Sequence, residues 1–107
     1  MQHPITNLDT KRLAEQSAEA ATMLRALANE QRLLILCHLA ADGELSVTAL
    51  GERMHLSQSA LSQHLARLRD EGIVAFRREA QTLFYHIADD KTARLLAVLH
   101  DIYCPQL

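Results

Sequence analysis

The chain has 107 residues, enough for one small domain with one modest core. Its formal charge is −2 with six histidines uncounted, which excludes a uniformly basic nucleic-acid coat protein but not a local basic patch. Aromatics are 4% of the chain with no tryptophan, a poor supply for stacking bases, and two cysteines are too few for a disulfide-built scaffold.

Three glycines and two prolines, against abundant Ala, Leu, Gln and Arg, predict a mostly helical chain. After an N-terminal tail over residues 1–9, expected to be flexible, a helix is predicted from about Thr10 to Ala28. Leu13, Ser17, Ala20, Leu24 and Leu27 repeat along it at four, three, four, three, a heptad seam suited to helix-on-helix packing. Asn29 is a good N-cap for a second helix running to about Ala40, apolar nearly all round through Leu33-Leu34-Ile35-Leu36-Cys37 and therefore expected at the buried centre. Asp42-Gly43 stops it. Ser46 caps a short helix over Val47–Met54, and a turn through His55-Leu56 leads to a helix from Ser57 to Glu71. That helix carries Leu61, Leu65 and Leu68 on one face and ends at Gly72.

The period then changes. Ile73–Arg78 and Gln81–Ile87 read as two strands joined by a turn at Glu79-Ala80, and Asp89-Asp90 caps a final helix carrying Leu95, Leu96, Leu99, Ile102 and Tyr103. The predicted fold is mainly α with a β-hairpin wing, in the order α-α-α-α-β-β-α. Two short helices before a hairpin mark a winged helix-turn-helix, here a single domain over residues 1–107.

Charge is unevenly placed. Between residues 53 and 82, Arg53, Arg67, Arg69, Arg77 and Arg78 outnumber Asp70, Glu71 and Glu79, whereas the rest of the chain is acidic. No charged side chain occurs between Leu56 and Ala66, where Ser57, Gln58, Ser59, Ser62, Gln63 and His64 supply the polar positions. A solvated helix face favours Lys and Glu pairs. A helix in the major groove of double-stranded DNA instead needs amides and hydroxyls, since Gln pairs with adenine and Ser with any base edge. Arg67, Arg77 and Arg78 are candidate phosphate contacts, as are Arg53 and Arg69, although each also reads as a surface ion pair or solubility device.

Leu33-Leu34-Ile35-Leu36, Leu56-Ser57-Gln58-Ser59-Ala60-Leu61-Ser62-Gln63-His64-Leu65 and Arg77-Arg78-Glu79-Ala80-Gln81-Thr82-Leu83-Phe84-Tyr85 together resemble the ArsR/SmtB repressors. The resemblance spans about residues 15 to 104. It implies a homodimer through the first and last helices that binds a palindromic operator and releases it when an inducer binds. The metal positions of that family are altered. Ser46 and Thr48 stand where arsenic- and cadmium-sensing members carry Cys-x-Cys, and hydroxyls are poor ligands for soft metals. Asp90-Lys91-Thr92 followed only by His100 breaks the zinc pattern, so no cofactor is implied. Cys37 and Cys104 instead resemble the dithiol, persulfide- or redox-sensing subgroup, which implies bridging of the two thiols by a reactive sulfur species or oxidant and loss of DNA affinity.

From the residues alone, Cys37 reads equally as a small core residue and Cys104 as a loosely constrained terminal one. His100 and Cys104 lie four apart on one helical face, so Cys37, His100 and Cys104 also form an alternative ligand set for zinc or another thiophilic metal. His3, His55 and His86 read as surface or packing residues. An enzyme is not expected, because neither a Cys-x-x-Cys pair nor a nucleophile elbow occurs. The apolar runs fall far short of the roughly 20 residues that span a membrane, and Met1-Gln2-His3-Pro4 does not open a signal peptide. A cytoplasmic protein without a membrane partner is expected.

Overall fold

A computed structural model describes residues 4–104. Its elements are α1 (Thr10–Glu15), α2 (Ser17–Leu27), α3 (Glu30–Asp42), β1 (Leu45–Ser46), α4 (Val47–Arg53), α5 (Gln58–Asp70), β2 (Val74–Glu79), β3 (Thr82–Ile87) and α6 (Asp90–Tyr103). Short polar side chains set most boundaries. Asn29 Oδ1 accepts from the Gln31 and Arg32 amides, Ser46 Oγ from Ala49, Ser57 Oγ from Ala60, and Asp89 from Thr92. Gly43, at φ +82°, closes α3 with its N–H on the Leu39 carbonyl at 2.8 Å.

The helix predicted over residues 10–28 is broken at Gln16. Ser17 Oγ donates to the Ala14 carbonyl at 2.8 Å, a side-chain bond that competes with the helical ladder, and the Gln16 backbone departs from helical angles. Leu13 and Leu24 of the predicted seam remain about half exposed. Of the expected tail, residues 1–3 lie outside those described; residues 4–9 are exposed, and Asp9 caps α1. The far end of the predicted domain, residues 105–107, also lies outside them.

The winged-helix order is otherwise as predicted, with one added element. Leu45 and Ser46 pair antiparallel with Tyr85 and Phe84, so the sheet has three strands in the order β1-β3-β2. The hairpin turn falls on Ala80-Gln81, one residue later than expected, because Glu79 pairs with Thr82.

The core gathers Ile35, Leu36 and Leu39 of α3, Leu50 of α4, Leu61, Leu65 and Leu68 of α5, Val74 and Tyr85 of the sheet, and Leu96 of α6. The expectation that α3 is buried all round fails: Leu34 is 48% exposed and Cys37 is exposed. The buried side of α3 instead includes a cation. Arg32 is only 8% exposed, and its Nε donates to the Ala26 carbonyl at 2.6 Å and its Nη2 to the Arg25 carbonyl at 3.3 Å. Those carbonyls end α2, where the helix leaves acceptors unpaired and its dipole is negative. Burial, with Arg67 nearby, lowers the Arg32 pKa, while the Glu71 carboxylate opposes the shift. Arg32→Met, which keeps the aliphatic stem and removes the donors, should cost about 1–3 kcal/mol. In thermal unfolding this corresponds to a fall on the order of 10 °C. An unchanged melting temperature would show that the α2 carbonyls do not need this guanidinium.

Candidate DNA-reading face and thiol groove

α4 and α5, joined through buried Met54 and half-buried Leu56, form the helix-turn-helix. Leu61, Leu65 and Leu68 anchor α5 to the core, which turns Ser59, Ser62 and Gln63 outward. Gln58 is exposed beside them, and Ser57 is exposed with its Oγ occupied by the cap. His64 departs from this face. It is half-buried, and burial together with Arg32 lowers its pKa. Its position one turn from both Leu61 and Leu68 places it at the edge of the buried stripe.

The arginines divide into engaged and free. Arg77 grips Glu44 with two bonds, Nε to Oε2 at 2.9 Å and Nη2 to Oε1 at 2.8 Å, and reaches Glu79 at 3.0 Å. It also covers the Phe84 ring at 4.5 Å. These hydrogen bonds raise the Arg77 pKa, and the two to Glu44 lower that of its carboxyl. Arg53 is paired to Asp42 at 2.6 Å, and Arg69 lies over Phe76. Arg67 is only 3.9 Å from Glu71 and is exposed. Arg78 is exposed and has no ion-pair partner among the described residues. Of the two wing arginines expected on phosphate, Arg78 is therefore left exposed and unpaired among the described residues, whereas Arg77 is tied to carboxylates. Glu44 lies 33 positions away, beyond the reach of local spacing rules.

Cys37 lies on the wall of an open groove between α3 and α6, with His100 across it. Ala93, Ala97, His100 and Cys104 run along one face of α6 at spacings of four, three and four, which carries the groove toward Cys104. Both thiols are free and exposed. Burial first, and the nearby Cys104 thiolate second, raise the Cys37 pKa. Among the described residues no three His, Cys, Asp or Glu side chains form a group able to hold a metal ion, so Cys37, His100 and Cys104 are not gathered as a ligand set. His55 is exposed, His86 is half-buried, and His3 lies outside the described residues. No described helix is long and apolar enough to cross a membrane.

The raised Cys37 pKa gives a signed expectation. A thiol reacts as its thiolate, so alkylation of Cys37 should rise with pH to values above those of an ordinary thiol. In Cys104→Ser the neighbouring charge is gone, and the midpoint should move down while remaining raised by burial. Iodoacetamide rates followed by peptide mass spectrometry measure this; an unmoved midpoint would show that the two thiols do not sense each other.

Comparison with known proteins places this geometry. Residues 29–75 match the model of the bacterial regulatory protein family arsR. The transcriptional activator HlyU of Vibrio cholerae is 48% identical over 91% of this chain and 89% of its own. A structure of reduced HlyU aligns at 50% identity with a TM-score of 0.81, over 88% of this chain and 98% of that one. The transcriptional repressor BigR of Xylella fastidiosa aligns at 34% identity and TM-score 0.85, over 92% and 100%. The homodimeric winged helix-turn-helix DNA-binding domain of Mb0332 from Mycobacterium bovis aligns at 32% and 0.74, over 92% and 89%. With its helix-turn-helix, its wing and this degree of identity over nearly its whole length, the chain belongs to the arsR family of bacterial transcriptional regulators, which act by binding DNA and are not enzymes.

Proposed function

We propose that this chain is a cytoplasmic homodimeric repressor that reads one half of a double-stranded operator through α5 of each subunit. In this reading it releases DNA when Cys37 and Cys104 of one subunit are bridged by a reactive sulfur species or oxidant. The observation that carries the switch is that both thiols are free and exposed, Cys37 on the α3 wall of the groove that α6 also lines and Cys104 at the end of α6. One thiolate attacks the sulfur reagent and the other resolves the adduct, so that the two cysteines lose two electrons and two protons to the reagent. Residues 1–107 act here as one winged-helix unit.

The dimer reading is supported by apolar side chains without partners in the monomer. Leu13 and Leu24 of α1 and α2 are 51% and 52% exposed, and Val98, Ile102 and Tyr103 of α6 are 51%, 61% and 78% exposed. Exposed apolar side chains concentrated on the first and last helices suit an interface between two copies of the chain. Val98 and Ile102 lie on the side of α6 away from the groove, so the thiols and the dimer face share a helix without sharing a surface. Two reading heads must stand about 34–36 Å apart to enter successive major grooves, and a small rotation at the seam breaks that spacing.

DNA reading is assigned to Gln58, Ser59, Ser62 and Gln63, with Ser57 and His64 at the margin and Arg67 and Arg78 on phosphate. On a duplex selected from a random-sequence pool, Gln63→Ala should lose about 1–3 kcal/mol of discrimination against unselected DNA. Arg78→Ala should weaken binding to every duplex and reduce the salt slope by about 0.9. Arg77→Ala should leave that slope nearly unchanged, because Glu44 and Glu79 already offset its charge. Equal slopes for the two arginine variants would contradict the ion-pair assignment. Full binding by Gln63→Ala would remove α5 from the groove.

A further inference from the structure

The groove beside Cys37 is larger than a sulfur bridge needs. Its volume is about 630 Å³, within the range of roughly 300–1,000 Å³ that holds small organic ligands. One water occupies only about 30 Å³ of liquid. Ala40 and Ala41 of α3 and Ala93 and Ala97 of α6 keep it open, because each contributes only a methyl group, and Leu96 contributes apolar surface between them. Among the lining residues Asp101 is the one carboxylate, and there is no Lys or Arg. A donor bearing carboxylates finds no fixed cation here, and an uncharged aliphatic body finds apolar walls.

Resting on the thiol-switch reading, we infer that the groove is a subsite for the organic body of the reagent, and that the preferred class is an uncharged organic polysulfide with short aliphatic substituents. With a dialkyl trisulfide, R–S–S–S–R, the Cys37 thiolate attacks a terminal sulfur. The Cys37–S–S–R bond forms, the adjacent sulfur–sulfur bond breaks, and R–S–S⁻ leaves. The alkyl group of this mixed disulfide lies between the four alanines. The Cys104 thiolate then attacks Cys37 Sγ and expels R–S⁻. In sum two thiols and one trisulfide give one protein disulfide, one R–S–S–H and one R–S–H, the cysteines being oxidised by two electrons and the trisulfide reduced by two.

The test compares dipropyl trisulfide with inorganic tetrasulfide on the full chain, following bridge formation by intact mass and DNA release by fluorescence anisotropy. Ala97 is exposed, so Ala97→Phe fills the groove from its rim and leaves the core packing intact. It should slow bridging by dipropyl trisulfide about tenfold, through lost apolar burial, while the tetrasulfide rate stays within about twofold. In Cys104→Ser the propyl adduct should accumulate on Cys37. Equal slowing of both reagents, no slowing of either, or no adduct on Cys37 in Cys104→Ser would overturn the subsite. If neither reagent bridges the wild-type thiols or releases DNA, the thiol-switch reading itself falls.

Discussion

The guanidinium of Arg32 holds the corner on which the other helices depend. A charge is costly to bury unless it is fully hydrogen-bonded, and here the bonds go to the two carbonyls that close α2. The same residue lies in the first turn of α3, its amide on the Asn29 cap, and its charge lowers the His64 pKa on α5. One side chain thus ties the end of α2 to the first turn of α3. α3 then runs for 13 residues, about 20 Å at 1.5 Å per residue, from that corner past Cys37 to Gly43.

On the proposed switch, chemistry at the thiols would have two physical routes toward the α5 face. The first is through α6. A Cys37–Cys104 bond would tie the end of this helix to α3 and shift the exposed stripe of Val98 and Ile102, on which a partner subunit is proposed to sit. The second is through the residue after Gly43. Glu44 holds Arg77 of the wing by two hydrogen bonds, and Gly43 lines the thiol groove. On the proposed switch, a movement of the α3 terminus would reach β2 through this ion pair.

Much of this arrangement was legible in the sequence where the cause is local. Asn29, Ser46, Ser57 and Asp89 cap helices because a short polar side chain reaches the next amides, and that preference is visible without tertiary context. Leu61, Leu65 and Leu68 announced the inner face of α5, and the period-two run after Ile73 announced the wing. What was hidden depends on distant partners. β1 is two residues long and exists because β3 offers it an edge. Arg77 is indistinguishable from Arg78 in sequence until Glu44 is brought beside it. His64 reads as one more polar residue of the outer face until Arg32 is found buried nearby. The break at Gln16 has a local cause, the Ser17 hydroxyl, but helical periodicity runs through it undisturbed. At the candidate site the charge-free face of α5 and the two cysteines were visible; the apolar groove between α3 and α6 was not, because alanines carry little periodic signal.

The central claim is that joining Cys37 to Cys104 within one subunit is what releases DNA. It is tested most directly by titrating the reduced protein with polysulfide while it is bound to a selected duplex, and by measuring in the same samples the fraction of chains bridged and the fraction of DNA still bound. The account predicts that bound DNA falls in proportion to the bridged fraction, with the bridge mapped to Cys37 and Cys104 of the same chain. Complete bridging with undiminished binding, or release without bridging, would contradict it.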